Sequence, residues 1–346
     1  MTEYNYVFFD IADDNMLRRN PDGYYAICTE DLQKLENVLL VSYPLDYASP
    51  LIRFLFGLHH TNHINKYVKL PLKSLWFPYY FKPHFAVERP LCFVVSGTYL
   101  SVDYLRYLKK KYPDAKFVKI HRDLVELWKK RYPWYTDEVV KEIYDLSFSY
   151  DTGDAEKYGY IHFDEFESRP DVPQAPDYPL CDVYFAGAAK NRLPRLIEVY
   201  DRLTAAGLKC SYYITGAASD QRAPRDGIYY AADQMSYREM LYRTVNARCI
   251  LEMNQLGAVG YTSRFLEAVL YNKRLITDNL SVRESKFYAP DRIQCFADVS
   301  DIDPEFVRST APVDYHYQGE FSPVHLIEKI GQALNDLERE ENGRGK

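Results

Sequence analysis

Residues 249–279 hold the spacing most suited to chemistry. Two glycines, Gly257 and Gly260, stand between an apolar run, CILEM, and a segment near 262–271 whose Phe265, Leu266, Val269 and Leu270 recur at helical spacing. A second apolar run, RLITD, follows. Strand, glycine loop and helix start form an order that receives phosphate. The free N–H groups and the helix dipole point at the anion, and glycine lets the backbone come close. Thr262 or Ser263 is able to cap the helix. Glu267 lies four residues after Ser263, on the face away from the apolar stripe, where a carboxylate accepts hydrogen bonds from a ribose. The competing reading is an ordinary strand–helix–strand unit with Glu267 in solvent, and the pattern alone leaves both open.

The elements that must position these residues repeat along the chain. In the first half, YVFFDI, NVLLVSY, LCFVVS, KFVKIH and DLSFSYD read as buried strands. Helical spacing appears over 103–111, and 124–131 reads as another helix. Alternation of strand and helix implies a parallel sheet covered on both faces. Residues 50–85 break the pattern as a long excursion. Residues 166–179 contain four prolines and little to bury, so they read as a linker. Beyond it a second alternation starts with DVYFAG, which ends at Gly187. The next helix has Pro194 in its first turn and Gly207 at its end. Ser236 and Glu239 form a capping-box pattern, and a last helix is expected over 323–339 with a frayed tail beyond. This gives an α/β chain of two Rossmann-like domains, 1–170 and 171–322, with a closing helix and tail at 323–346.

Composition narrows the class. The 346 residues allow two cores, and 47% apolar with 27% charged residues is ordinary for a soluble globular chain. Six scattered cysteines lack metal or redox spacing and read as buried thiols of a reducing compartment. There is no signal-peptide pattern and no window of membrane-span length, so a cytoplasmic location is expected. The net charge of −6 hides an asymmetry: residues 49–131 carry 16 Lys and Arg against 5 Asp and Glu. That segment is also aromatic, a combination suited to contact with the inner face of an anionic membrane or a lipid-linked acceptor. RNA is the outside alternative, and no nucleic acid is expected. A solvated basic face over ordinary aromatic core explains the same residues.

Three stretches carry a resemblance: VYFAGAAKNRLPRL, the segment from Ser236 to Asn279, and SFSYDTGDAEKYGYIHF. With the two-domain plan and closing helix they resemble a GT-B glycosyltransferase. More closely, they resemble the glycosyltransferase-like proteins of bacterial surface-polysaccharide and spore-maturation loci. The resemblance implies a nucleoside-diphosphate sugar as substrate, no tightly bound cofactor and no metal. It places Gly187, Lys190 and Arg192 by the diphosphate, with Gly257, Gly260, Tyr261, Ser263 and Arg264 around the phosphates. Glu267 would hold the ribose hydroxyls. Many retaining enzymes of this fold have two glutamates separated by seven residues. Here Val259 stands where the first would be, which leaves the stereochemical outcome open.

The implied activity is hexosyl transfer to a carbohydrate or lipid-linked acceptor in surface polysaccharide synthesis. An epimerase on the same fold and a non-catalytic nucleotide-sugar-binding protein are the alternatives. An inverting transferase needs a base for the acceptor hydroxyl. His59, His60, His63, His84, His121 and Asp123 are the candidates, each more often structural than catalytic. His59, His60 and His63 as a metal site lack a nearby carboxylate or Cys partner, and Asp13 and Asp14, readable as a Mg²⁺ site, fit a solvated turn better.

Overall fold

The structure is a computed structural model. It describes residues 2–9, 22–41, 49–60, 71–80, 83–96, 100–174, 177–233, 235–254 and 260–344, the side chains of residues 60, 342 and 344 excepted. In chain order the first half runs β1 (Asn5–Phe9), α1 (Tyr24–Cys28), β2 (Val38–Val41), α2 (Pro50–His60), β3 (Leu91–Val95), α3 (Val102–Lys111), β4 (Lys116–His121), α4 (Val125–Arg131), α5 (Asp137–Ile143), β5 (Leu146–Ser149), α6 (Thr152–Tyr158) and β6 (Ile161–His162). The second half runs β7 (Cys181–Ala188), α7 (Leu193–Ala205), β8 (Cys210–Thr215), β9 (Ile228–Ala231), α8 (Tyr237–Asn246), β10 (Ala247–Glu252), α9 (Ser263–Leu270), β11 (Arg274–Thr277), β12 (Ile293–Cys295), α10 (Pro304–Arg308) and α11 (Pro323–Arg344).

The strands form two separate sheets, ordered β2-β1-β3-β4-β5-β6 and β12-β11-β10-β7-β8-β9. Every pairing is parallel. Strands buried on both faces must be apolar throughout, and VYF in β7 and CIL in β10 are. Each sheet has one place where the strand order reverses, between β1 and β3 and between β7 and β10. Loops leaving the carboxyl ends of such a pair diverge, and ligands bind in the opening they leave.

Helix α11 belongs to the second half in sequence and to the first in space. Its Leu326, Ile327, Ile330 and Leu334 pack with Tyr4, Tyr6, Phe8, Cys92 and Val94 on one face of the first sheet. Asn335 Oδ1 accepts from the Thr2 amide at 2.6 Å, and the Tyr4 hydroxyl donates to Glu338 at 2.6 Å. The helix continues to Arg344, past the fraying expected after residue 339.

Two further expectations are corrected. The proline-rich stretch is not unburied along its length. Phe166, Glu167 and Ser168 are at most 1% exposed. The Glu167 amide donates to Phe321 O and the Ser168 amide to Cys28 O, so only the later part of 166–179 is left as a linker. At α8, Ser236 accepts from the Glu239 amide at 3.1 Å, but Glu239 turns to Arg243 instead of completing the box. Five of the cysteines are buried and Cys295 is half-buried, all as free thiols. Among the described residues no helix is long and apolar enough to cross a membrane.

Candidate functional site

The second sheet's order reverses beside Gly187 and Ala188 at the end of β7 and Glu252 at the end of β10. A Cβ on Gly187 would lie 2.8 Å from the Arg192 guanidinium, so glycine is what lets that side chain cross under the turn. Arg192 donates to Ala188 O at 3.2 Å and to Met253 O, joining the two diverging strands. Burial lowers its proton affinity, with Asp278 opposing and Arg264 close enough to add to the lowering. Lys190 sits two residues earlier at φ 45°, an exposed ammonium on a strained turn. Desolvation and then Arg192 lower its pKa, while Asp123 raises it.

Sequence reasoning missed the carboxylate that organises the loop. Glu252 is 1% exposed and accepts from Thr262 Oγ1 and from Thr277 Oγ1, the latter at 2.5 Å. Burial raises its pKa, and the two hydroxyls oppose this. Thr262 is also the N-cap of α9, accepting from the Arg264 amide at 3.2 Å. One side chain therefore ties the end of β10 to the start of α9 and the end of β11. Asp278 accepts from the Asn254 amide at 2.7 Å, and Asn279 donates to Gly260 O at 3.2 Å. These four residues frame a loop whose middle, including the predicted Gly257 and the neighbouring Val259, lies outside the described residues. A lone acid ending an apolar strand was the available signal for Glu252.

Glu267 is not where the sequence placed it. It is 0% exposed, so the helix face expected to be polar is covered. Its carboxylate takes the Tyr237 hydroxyl at 2.8 Å, Thr244 Oγ1 at 3.3 Å and the Arg264 guanidinium at 2.7 Å. The Tyr237 hydroxyl also lies 2.5 Å from Glu167, another fully buried carboxyl. One phenolic proton serves only one of them, so the other carboxyl must carry a proton of its own. Burial raises both, Glu167 well above the usual range with the Glu267 charge adding to it. Arg264 keeps Glu267 the ionised member. Arg264 is thereby aimed inward as well, its side chain 11% exposed. Tyr261 stacks on Phe265 at 4.5 Å, and Ser263 is half-buried in the first turn.

The first sheet's carboxyl end meets this region. A Cβ on Gly260 would lie 2.8 Å from the Tyr150 ring, just past β5, so the two halves touch there without room for a side chain. Asp123 follows β4 and feels Lys190. Burial raises its carboxyl above the usual carboxylate range, with Lys190 and Arg122 opposing. Its loop is held on both flanks. Arg122 pairs with Glu165 at 2.6 Å, both nearly buried, and the Val125 amide donates to Asp154 at 2.7 Å.

Neither His121 nor His59 joins Asp123. His121 is 3% exposed, stacked on Tyr160 at 5.1 Å and edge-on to Trp128 at 5.3 Å. Burial and the nearby Lys119 hold it neutral. His59 accepts from Trp76 Nε1 at 2.7 Å inside an aromatic cluster. The His60 side chain, His63 and Asp13–Asp14 lie outside the described residues. Among the described residues no group of three His, Cys, Asp or Glu is placed to hold a metal ion.

By sequence, the chain matches no known protein family and no curated protein. By fold it is similar to solved structures along its whole length. Trehalose-6-phosphate synthase OtsA aligns with TM-score 0.55 at 10% identity, over 96% of this chain and 99% of that one. Anabaena HepE in complex with UDP and glucose aligns with TM-score 0.54 at 10% identity, over 96% and 100%. A putative UDP-N-acetylglucosamine 2-epimerase from Listeria monocytogenes aligns with TM-score 0.52 at 9% identity, over 98% of each chain. Identities this low speak for the fold alone. The chain has GT-B architecture, two Rossmann-like domains with a C-terminal helix crossing back to the first.

Proposed function

We propose that the chain is a glycosyltransferase that moves a sugar from a nucleoside diphosphate to a hydroxyl of a carbohydrate or lipid-linked acceptor, in surface polysaccharide synthesis at the inner face of the membrane. The observation that carries the reading is that Lys190, beside Arg192 at the switch point of the second sheet, feels Asp123 from the first. The donor's diphosphate would lie against Lys190, the Gly187 turn and the start of α9 at Gly260 and Ser263. As the bond from the anomeric carbon to the phosphate oxygen breaks, its electron pair leaves with the diphosphate. Lys190 and Arg192 neutralise that charge. Asp123 takes the proton of the acceptor hydroxyl as its oxygen bonds to the anomeric carbon. A carboxylate with a raised pKa is a stronger base, so the desolvation at Asp123 suits that task. Glu267 serves as a positioning residue: its carboxylate is occupied by Tyr237, Thr244 and Arg264, and it acts on the donor by fixing the start of α9.

The test is a thermal-shift panel with UDP, GDP, ADP, CMP and TDP and their sugar conjugates. One nucleotide should raise the melting temperature of the wild type, and the shift should fall sharply in Lys190→Ala with the fold intact. Asp123→Asn should keep the shift and lose transfer. In the wild type, activity should fall as pH drops through the raised Asp123 range. No shift with any nucleotide removes the transferase reading. Turnover of the donor without acceptor, to a sugar epimer, would replace it with epimerisation.

A further inference from the structure

Helix α2 has two apolar faces, and the fold uses one. Inward, Phe56 is 6% exposed and packs with Ile52, Trp76 and Tyr80. Outward, Leu51, Phe54, Leu55 and Leu58 are 66, 67, 40 and 53% exposed. Their spacing of three, four and seven residues puts them on one stripe. The 3₁₀ turn Lys73–Tyr79, which packs on α2 through Trp76, carries Leu75 at 64% exposure, and Leu72 just before it is 66% exposed. Soluble surfaces rarely gather bulky apolar residues this way without a use. The segment that carries the stripe is cationic in sequence. From residue 49 to residue 87 there is no Asp or Glu, against five basic residues at 53, 66, 69, 73 and 82. Arg53 and Lys73 are exposed beside the stripe.

We propose that α2 docks the protein on an anionic lipid bilayer, its outer stripe lying in the interfacial region and its basic flanks against the headgroups. Apolar residues on one face with cations around them are what such a surface selects. A symmetric contact with a second copy would bring the same cations face to face, with no acid in the segment to pair them. The proposal gives a place to the membrane-side acceptor in the reading above, but the docking needs no nucleotide chemistry.

The test is sedimentation of the full chain with vesicles of phosphatidylcholine alone or with phosphatidylglycerol. Binding should require the anionic lipid and weaken with salt. The doubles Phe54→Ser/Leu58→Ser and Arg53→Glu/Lys73→Glu should each lower the partition coefficient by about tenfold or more. Both should keep the wild-type melting temperature and any nucleotide-induced shift. A failed donor-site reading would show in that shift and leave vesicle binding untouched. No wild-type binding to anionic vesicles, or binding that neither double alters, overturns the proposal. So does self-association without lipid that Phe54→Ser/Leu58→Ser abolishes, which would assign the face to a second copy.

Discussion

Helices α2 and α9 contain similar material and meet opposite fates. Each has a run of bulky apolar residues, PLIRFLFGLHH in one and SRFLEAVL in the other. In α9 every residue from Phe265 to Leu270 is buried, the glutamate included. In α2 only Phe56 is buried among the described side chains. Periodicity tells which residues share a face; what covers each face comes from the neighbours. Helix α9 lies between the second sheet, α8 and the segment carrying Glu167, so even its polar position is enclosed and must find partners. Helix α2 leans on one aromatic cluster at the edge of the first domain and leaves the rest to solvent.

Substitutions can widen or erase this contrast. The largest effect should come from Glu267→Ala, which leaves Arg264 buried without its carboxylate. A loss of about 3–5 kcal/mol in chemical denaturation is expected. A loss under about 1 kcal/mol would mean that α9 is not enclosed as described. Next are two phenylalanines two positions apart. Phe56→Ala should cost about 3 kcal/mol. Phe54→Ala should stay within about 0.5 kcal/mol. Equal costs would show that the outer stripe is covered in solution. The subtlest effect is on pH dependence. Burial and the Glu267 charge raise Glu167, so the stability its proton supports is complete at acid pH and is lost as pH rises through its folded value. Glu167→Gln should flatten the decline of melting temperature above the ordinary glutamate range. An unchanged slope would place the titration elsewhere.

The sheets were readable because parallel strands buried on both faces must be apolar runs. The run KFVKIH, residues 116–121, is β4 to the residue. Helices α5 and α6, seven residues each, were missed. They are too short to show a period, and their signals are the caps alone, Thr136 before one and Asp151 before the other, with Gly159 closing the second. The turn after β7 was legible because an apolar run that ends in glycine and gives way to cations marks where a buried strand reaches the surface. The inward turn of Glu267 was not, because the residues that enclose it, Glu167 and Tyr237, are distant in sequence by 100 and 30 positions. The same applies to Glu252, whose partners lie 10 and 25 residues away.

The return of α11 to the first sheet has a consequence for synthesis. The first domain emerges from the ribosome early, yet the sheet face bearing Tyr4, Tyr6 and Phe8 is only partly covered, by Leu32, Phe163 and Phe166, until the last helix is made. At ~5–20 residues per second the intervening 150 or so residues take about 10–30 s to translate. Through that interval a nascent chain carries an aromatic sheet face open to its surroundings. A gene fragment ending near residue 170 would keep that face open permanently.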